Sequence, residues 1–462
     1  MSDIKLPVTA SPIQLAGVCR EWRQIILDYP LLWSHLDLIV HRSTLDRGYT
    51  DPTIWAERSR GSKISIHLRE YYLFEYIEQD DDDSDTSTEY DDEEFAEAME
   101  PLVRFLRPLM PQVESMTLVL YWPKDYVLSS LIDLWTTHGT LGTARSLKIR
   151  SYLEAPPSYL EPSGFASNDL ERLQRHRHFF EPLELFHLDN TIMPKWSELS
   201  YHNLTSLYLS SFIEEWSLTS AELRAMLSSC PKLQHLTLCG LEVVDNHASQ
   251  PLVTLNHLKT LFIRSTSNLP LLETVLSVID SGANSLTLAI FIPVRPPSVK
   301  NRALAKMNTF LSRSNVTALH IHSSVIFFLT ELGPLPRVRT LSLDGFIIAE
   351  EFYGSSVWRR NDVPYINPQP INPELHTWLT LETLHLSKCT LGLDHFRALF
   401  SLQRIRSLYL KDCEEEVQSD GQAWTSQPLS EAYTADLIYN SPKVVMYKPG
   451  WTPWLFQEYT TC

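Results

Sequence analysis

The segment KLQHLTLC, residues 232–239, carries the pattern that decides the fold: L-x-x-L-x-L, with apolar residues at Leu233, Leu236 and Leu238. The L-x-L pair has the alternation of a short β-strand, in which every second side chain points into a core. The pattern recurs along the chain. Clear copies end at Leu209, Leu238, Ile263, Ile321, Leu343, Leu386 and Leu410, and weaker copies end at Leu118, Ile149, Leu188 and Leu288.

The spacing of these copies indicates a repeat array. Many are separated by roughly 20–29 residues, the length of one leucine-rich repeat, and the longer intervals can hold inserted loops. Segments with helical spacing, such as residues 221–227 and 271–279, lie between the predicted strands. One such unit cannot bury its apolar face alone, so neighbouring units must stack. A single copy could arise by chance, but eleven in order favour an α/β fold, a leucine-rich-repeat solenoid.

Two copies extend to L-x-L-x-x-C, at Leu386–Cys389 and at Leu410–Cys413. The chain turns inward after the strand of such a repeat. We therefore expect Cys389 and Cys413 to fill the tight turn and to bond buried backbone groups there. Leu188-Asp189-Asn190 is a looser version of the same pattern, one residue short.

Between the two core positions of each predicted strand lies one residue that points away from the core. These residues form a row: Tyr208, Thr237, Phe262, Thr287, His320, Ser342, His385 and Tyr409. Aromatic side chains suit protein recognition, although simple solvation explains part of such a row equally well. We expect contacts with a protein target from Tyr208, Phe262, His320, His385 and Tyr409. Joint replacement of Phe262, His385 and Tyr409 should then abolish capture of the target, and unchanged capture would contradict the hypothesis.

Residues 11–40 contain a second informative pattern. The runs LAGVCREWR (residues 15–23) and PLLW (residues 30–33) resemble the second half of an F-box, most closely in the large F-box/leucine-rich-repeat families of mushroom-forming fungi. Residues 54–59 and 64–68 resemble the continuation of those families into their first repeats. An F-box binds the Skp-type adaptor of a cullin–RING (SCF) ubiquitin ligase. The resemblance therefore implies adaptor contacts from Leu15, Val18, Cys19, Trp22, Pro30, Leu32 and Trp33.

The residues themselves predict a short N-terminal helical module followed by a strand. Apolar positions at steps of three and four, from Leu15 to Ile26, indicate an amphipathic helix or a pair of short helices. Pro30 ends this segment, and residues 36–40 alternate as a first strand. Trp22 and Trp33 are explained equally well as core residues.

The opening helix of an F-box, Leu-Pro-x-Glu-Ile-Leu-x-x-Ile-Phe, has no counterpart after Leu6-Pro7. The resemblance is therefore to an N-terminally truncated F-box. Two alternatives follow: the half-module retains adaptor binding, or the chain is a stand-alone leucine-rich-repeat scaffold without a ligase connection.

Charge and cysteine usage exclude several classes of function. The net charge is −17, but residues 75–100 hold fourteen of the acidic residues and no Lys or Arg, so the remainder is close to neutral. No basic footprint for nucleic acid is present, and neither a membrane span nor a secretory signal is predicted. Six scattered cysteines without a CxxC pair indicate a reducing compartment, the cytoplasm or the nucleus.

The domain organisation that these patterns predict has five parts. They are a partial F-box-like helical module (1–40), a linker and first repeat (41–74), an acidic disordered insert (75–100), the solenoid (101–415, with a loop insert at about 346–375) and a C-terminal tail or cap (416–462). The acidic insert is interpreted as a solvated spacer, although Thr86 and Thr88 have the spacing that acidophilic kinases can use.

We predict no enzymatic activity and no cofactor, because phosphate-binding loops, nucleophile elbows and zinc motifs do not occur in the sequence. Two H-x-H pairs, His176/His178 and His320/His322, could each supply two metal ligands, but no third ligand lies near either pair. A solvated face explains them equally well, so no metal is expected. The leading hypothesis is a ubiquitin-ligase substrate receptor whose partners are the Skp-type adaptor, the cullin ligase and an unknown protein target.

Overall fold

In this computed structural model the described residues are 17–40, 52–70, 92–120, 125–151, 158–159, 170–192, 201–211, 217–244, 252–265, 270–292, 297–323, 335, 337–344, 347–348, 381–391, 405–417, 425–430 and 444–446. The chain divides into two compact units. The first comprises Met1–Trp216 and Ala225–Leu233, and the second comprises Ser217–Arg224 and Gln234–Cys462. Leu15 and the loop insert predicted at about 346–375 (apart from residues 347–348) lie outside the described residues.

The described strands of the first unit are β1 (His35–Val40), β2 (Ile64–Glu70), β3 (Val113–Leu120), β4 (Ser146–Ser151), β5 (Ser158–Tyr159), β6 (Leu185–Asp189), β7 (Thr191–Ile192) and β8 (Ser206–Ser210). Strands β1, β2, β3, β4, β6 and β8 are parallel, and each pairs with the next in that order. Its helices are α1 (Arg20–Asp28), α2 (Pro52–Arg58), α3 (Asp92–Leu106), α4 (Asp125–His138) and α5 (Leu170–Phe180), with 3-10 turns at Pro30–Trp33 and Met110–Gln112.

The second unit repeats this arrangement, with β10, β13, β15, β16, β17, β19, β21 and β24 parallel and in chain order. The described strands are β9 (Ser217–Thr219), β10 (His235–Cys239), β11 (Glu242–Val244), β12 (Val253–Thr254), β13 (Thr260–Arg264), β14 (Ile279–Asp280), β15 (Leu286–Ile292), β16 (Val316–Ser323), β17 (Thr340–Asp344), β18 (Ile347–Ile348), β19 (Thr383–Ser387), β20 (Thr390–Leu391), β21 (Ser407–Lys411), β22 (Glu414–Val417), β23 (Thr425–Pro428) and β24 (Val444–Met446). Helices α6 (Ser220–Ser228), α7 (Pro270–Val278) and α8 (Pro297–Arg313) lie between the strands in sequence. The architecture is mixed α/β with parallel sheets.

The repeated leucines occupy equivalent positions in successive strands. One aligned series of core positions runs across β13, β15, β16, β17, β19 and β21, and its members are at most 1% exposed: Leu261, Leu288, Leu319, Leu341, Leu384 and Leu408. The predicted strands are thereby confirmed. Each strand buries its L-x-L side chains against those of its neighbours.

One strand differs from the prediction in register. The sequence suggests Leu286 and Leu288 as the core pair of β15, with Thr287 pointing outward. In the structure Leu288 and Ile290 align with the core pair of β13, and the pairing of β15 with β16 shifts register between Leu286 and Thr287. Ala289 therefore takes the outward position that the sequence assigns to Thr287.

The predicted turn position is confirmed at both cysteines. The Cys389 thiol donates to the carbonyl oxygens of Leu343 (3.5 Å) and Ser387 (3.2 Å), and the Cys413 thiol makes equivalent bonds one repeat later. The preceding residues have left-handed backbones, with φ of 50° at Lys388 and 48° at Asp412. In the looser copy Asn190 is the left-handed residue (φ 50°), so the buried Thr191, not Asn190, corresponds to the cysteines.

The predicted helices at residues 221–227 and 271–279 are confirmed as α6 and α7. The predicted acidic insert ends too late, however, because residues 92–100 form the first turns of α3. Apolar residues at Phe95, Met99, Leu102 and Leu106 are spaced three or four apart, as on one helix face. Met99, Leu102 and Leu106 are buried, so this face anchors a helix despite the charge of its first turn.

Candidate functional site

The N-terminal helix α1 is held by a tryptophan that follows it. The Trp33 indole is 1% exposed and donates from Nε1 to the Ile26 carbonyl at 2.8 Å. Its ring meets that of Trp55 edge-on, with centroids 5.2 Å apart, and the Arg58 guanidinium lies 4.7 Å from the ring centroid. Ile26 is the buried residue of α1, so these contacts fix the helix while leaving its other faces open.

A group of apolar side chains around α1 is exposed to solvent. This N-terminal apolar patch consists of Val18 (67% exposed), Trp22 (51%), Ile25 (59%), Tyr29 (54%), Leu31 (62%) and Leu32 (38%). Trp22 and Ile25 are three residues apart in α1, so they lie on one side of the helix, and Tyr29 follows its last residue, Asp28. Large apolar side chains concentrated in one exposed patch mark an interaction surface, whereas isolated ones are ordinary.

Most of the residues that the F-box resemblance implies lie in this module, but they differ in exposure. Val18, Trp22 and Leu32 belong to the patch, and the exposed Cys19 caps α1 by accepting the Trp22 N–H at its Sγ (3.4 Å). Pro30 is half-buried and begins the 3-10 turn, whereas Trp33 is in the core. Of the two tryptophans that the sequence explains equally well as core, only Trp33 is buried. Tyr29 and Leu31 are members of the patch that the resemblance does not imply.

The outward residues of the second unit form a central row across its parallel strands. In register they are Thr237, Phe262, Ala289, His320, Ser342, His385 and Tyr409. Phe262 is 7% and His320 4% exposed, so these two present little surface to a partner. His385 and Tyr409 are half-buried, and their rings stack with centroids 4.4 Å apart and planes at 7°. This stacked pair is the part of the predicted row that offers an aromatic surface.

The histidines of the central row are uncharged near neutral pH. Burial, with a smaller contribution from proximity to His385, lowers the pKa of His320 to about 4. Burial alone lowers the pKa of His385 to about 4. Both imidazoles therefore act here as neutral polar aromatic rings. No group of three or more potential metal ligands occurs among the residues that the structure describes.

A second series of contacts crosses the same strands beside the central row. The Arg264 guanidinium lies 4.9 Å from the Phe291 ring centroid, and Phe291 stacks on His322 at 4.2 Å. His322 Nδ1 is 2.6 Å from a carboxylate oxygen of Asp344. Burial would raise the pKa of Asp344, but its hydrogen bond and charge interaction with His322, with smaller effects from Ser387 and Lys388, hold that pKa below its usual value. The sequence shows no sign of this ladder, because it depends on strand register.

The outward face of the first unit carries more charge. His187 stacks on Tyr208, the remaining predicted target contact, with centroids 3.9 Å apart. Burial, followed by the charges of Arg150 and Lys148, lowers the pKa of His187 to about 3. Arg150 pairs with Asp189 at 3.2 Å, yet burial outweighs the Ser210 and Arg150 contacts and raises the pKa of Asp189.

Comparison with protein-family models and with curated proteins finds no match to this chain. Among the helices in the described part of the chain, none is long and apolar enough to cross a membrane.

Proposed function

We propose that this chain is an F-box-type substrate receptor, which recruits a target protein to a cullin–RING ubiquitin ligase through a leucine-rich-repeat surface. The observation that carries the proposal is the N-terminal apolar patch, because it coincides with the residues that resemble an F-box. Burying a large apolar side chain contributes roughly 1.5–3 kcal/mol, so a partner that covers several of them gains substantial affinity.

The parallel strands support the solenoid part of the proposal. They pair in chain order within each unit, and their repeated leucines align from strand to strand. Stacked repeats of this kind provide extended surfaces for binding other proteins. We place the target on the outward faces, with contacts from Tyr208, His385 and Tyr409. Phe262 and His320 also point outward but are buried, so we assign them a structural role in these faces rather than contact with the target.

In this function the chain catalyses no reaction. The N-terminal module binds the Skp-type adaptor while the repeats bind the target, so the target is held at a high effective concentration near the ubiquitin-charged enzyme. Cytoplasmic or nuclear localisation is part of the same proposal.

Calorimetric titration of the purified chain with a Skp-type adaptor tests the proposal, with a complete F-box protein as positive control. We expect a Kd in the micromolar range or tighter. Trp22→Ala and Ile25→Ala should each weaken binding by about 10–100-fold, since both side chains are exposed anchors.

The matched control is Leu141→Ala, because Leu141 is 55% exposed but lies outside the patch. Its affinity should equal that of the parent chain. No binding by a folded chain, or equal affinity for all variants, would contradict the proposal and favour a repeat scaffold without a ligase connection.

A further inference from the structure

The outward face of the first unit holds a group of basic side chains around strand β3. Thr117 of β3 pairs in register with His67 of β2 and with Lys148 of β4. One step along, Val119 pairs in the same way with Arg69 and Arg150. We call His67, Arg69, Lys148 and Arg150 the basic strip. Its two sides are separated by the shorter side chains of β3.

Two cations of the basic strip, Arg69 and Lys148, are exposed. Among the described residues no ion pair joins either of them to a carboxylate. The carboxylates on this face are already engaged, Asp37 with His67 at 3.0 Å and Asp189 with Arg150 at 3.2 Å. The positive charge of Arg69 and Lys148 is therefore available to a ligand, on a chain whose net charge is −17.

The positive potential of this face acts on a neighbouring side chain. The pKa of His187 is lowered to about 3, mainly by burial and in smaller part by the charges of Arg150 and Lys148. The same potential would attract carboxylates placed above β3. Exposed charge pairs of this kind contribute modestly to affinity but select the sign of the ligand.

We propose that the basic strip binds an extended acidic segment of a partner protein. Lys148 is level with Thr117 of β3 and Arg69 is level with Val119, so the two cations are offset along β3 by two residues, about 6.6 Å. Acidic side chains at alternate positions of an extended peptide have the same separation. A peptide lying along β3 would thus place one carboxylate near Lys148 and the next near Arg69.

This inference deepens the proposed function, on which it rests for its biological meaning, by giving the chemistry of the target. The competing occupant is the chain's own acidic run, residues 75–100, which follows β2 in sequence. Nucleic acid is a weaker candidate, because the folded part lacks the broad basic surface that such ligands require.

The test is a fluorescence anisotropy titration of the full chain with a short labelled peptide of alternating Glu and Ser. Binding should weaken as salt rises, since the cations are exposed. The double variant Arg69→Glu/Lys148→Glu should lose affinity by about tenfold or more, because two attractive contacts become repulsive. Lys306→Glu/Arg337→Glu is the matched control: it makes the same charge change at exposed sites elsewhere and should bind the peptide like the parent chain.

Equal affinity of parent and Arg69→Glu/Lys148→Glu chains would overturn the proposal. A second outcome would also overturn it: peptide binding that appears only after the Asp residues at 80–83 are replaced by Asn. That outcome would mean that the acidic run occupies the basic strip in the parent chain. The peptide titration contains no adaptor, and the adaptor titration contains no peptide. A negative result in one therefore does not change the interpretation of the other. Thermal unfolding monitored by circular dichroism checks that each variant is folded.

Discussion

His320 and His385 are neutral aromatic side chains near pH 7, because burial lowers the pKa of each to about 4. The sequence places both on an outward row but does not show that His320 is 4% exposed. Outward direction and solvent exposure are different properties. The first follows from strand alternation, whereas the second depends on what the neighbouring strands and loops cover. Trp22 and Trp33 show the same difficulty: the sequence explains both as core residues, but only Trp33 is buried.

Stability should therefore depend on pH in the acidic range. In the unfolded chain these histidines titrate near 6.5, so between about pH 4 and 6.5 the unfolded state binds more protons than the folded state. The free energy of unfolding should rise with pH across this window and level off above it. We expect each site to lower it by about 2 kcal/mol at pH 5 relative to pH 7, so by on the order of 4 kcal/mol for the two sites together.

Urea unfolding at the two pH values measures this effect, in the parent chain and in His320→Gln/His385→Gln. The variant should lose a clear part of the pH dependence, while other titrating groups, such as His187, contribute equally to both chains. An identical pH dependence in the two chains would refute the assignment.

Helix α6 begins at a capping box. The box is the T-x-x-E sequence at Thr219–Glu222, and both of its hydrogen bonds form. The Glu222 N–H donates to Thr219 Oγ1 at 3.1 Å, and the Thr219 N–H donates to Glu222 Oε2 at 2.9 Å. The helix was predicted from the spacing of residues 221–227 alone, without this start signal. The start of α3 at Asp92 was not predicted, because its acidic first turn continues the composition of the preceding run.

Thr219→Ala should lower the free energy of unfolding by about 1 kcal/mol, because it removes a cap of α6. The control is Thr309→Ala within α8, where alanine is the better helix former and Thr309 bonds only its own helix, to Ala305. That substitution should be neutral or slightly stabilising. Chemical denaturation compares the two, and equal losses would show that the capping box contributes nothing specific.

At the scale of the whole molecule, the repeated leucines predicted the parallel strands because periodic apolar residues reflect a periodic core. Single exceptions arise where one residue is missing from the period, as between Leu286 and Leu288. The basic strip and the Arg264–Phe291–His322–Asp344 ladder lay beyond prediction. Both join residues that are distant in sequence, and only strand register brings them side by side.

We propose that the N-terminal module binds the adaptor and that the strand faces bind the target. Hydrogen–deuterium exchange of the full chain, with and without a Skp-type adaptor, tests this separation most directly. We expect the adaptor to slow amide exchange only in the N-terminal module, residues 17–34, and to leave exchange in β19 and β21 unchanged. No protection of the module at saturating adaptor, or protection that falls on the strand faces instead, would contradict the account.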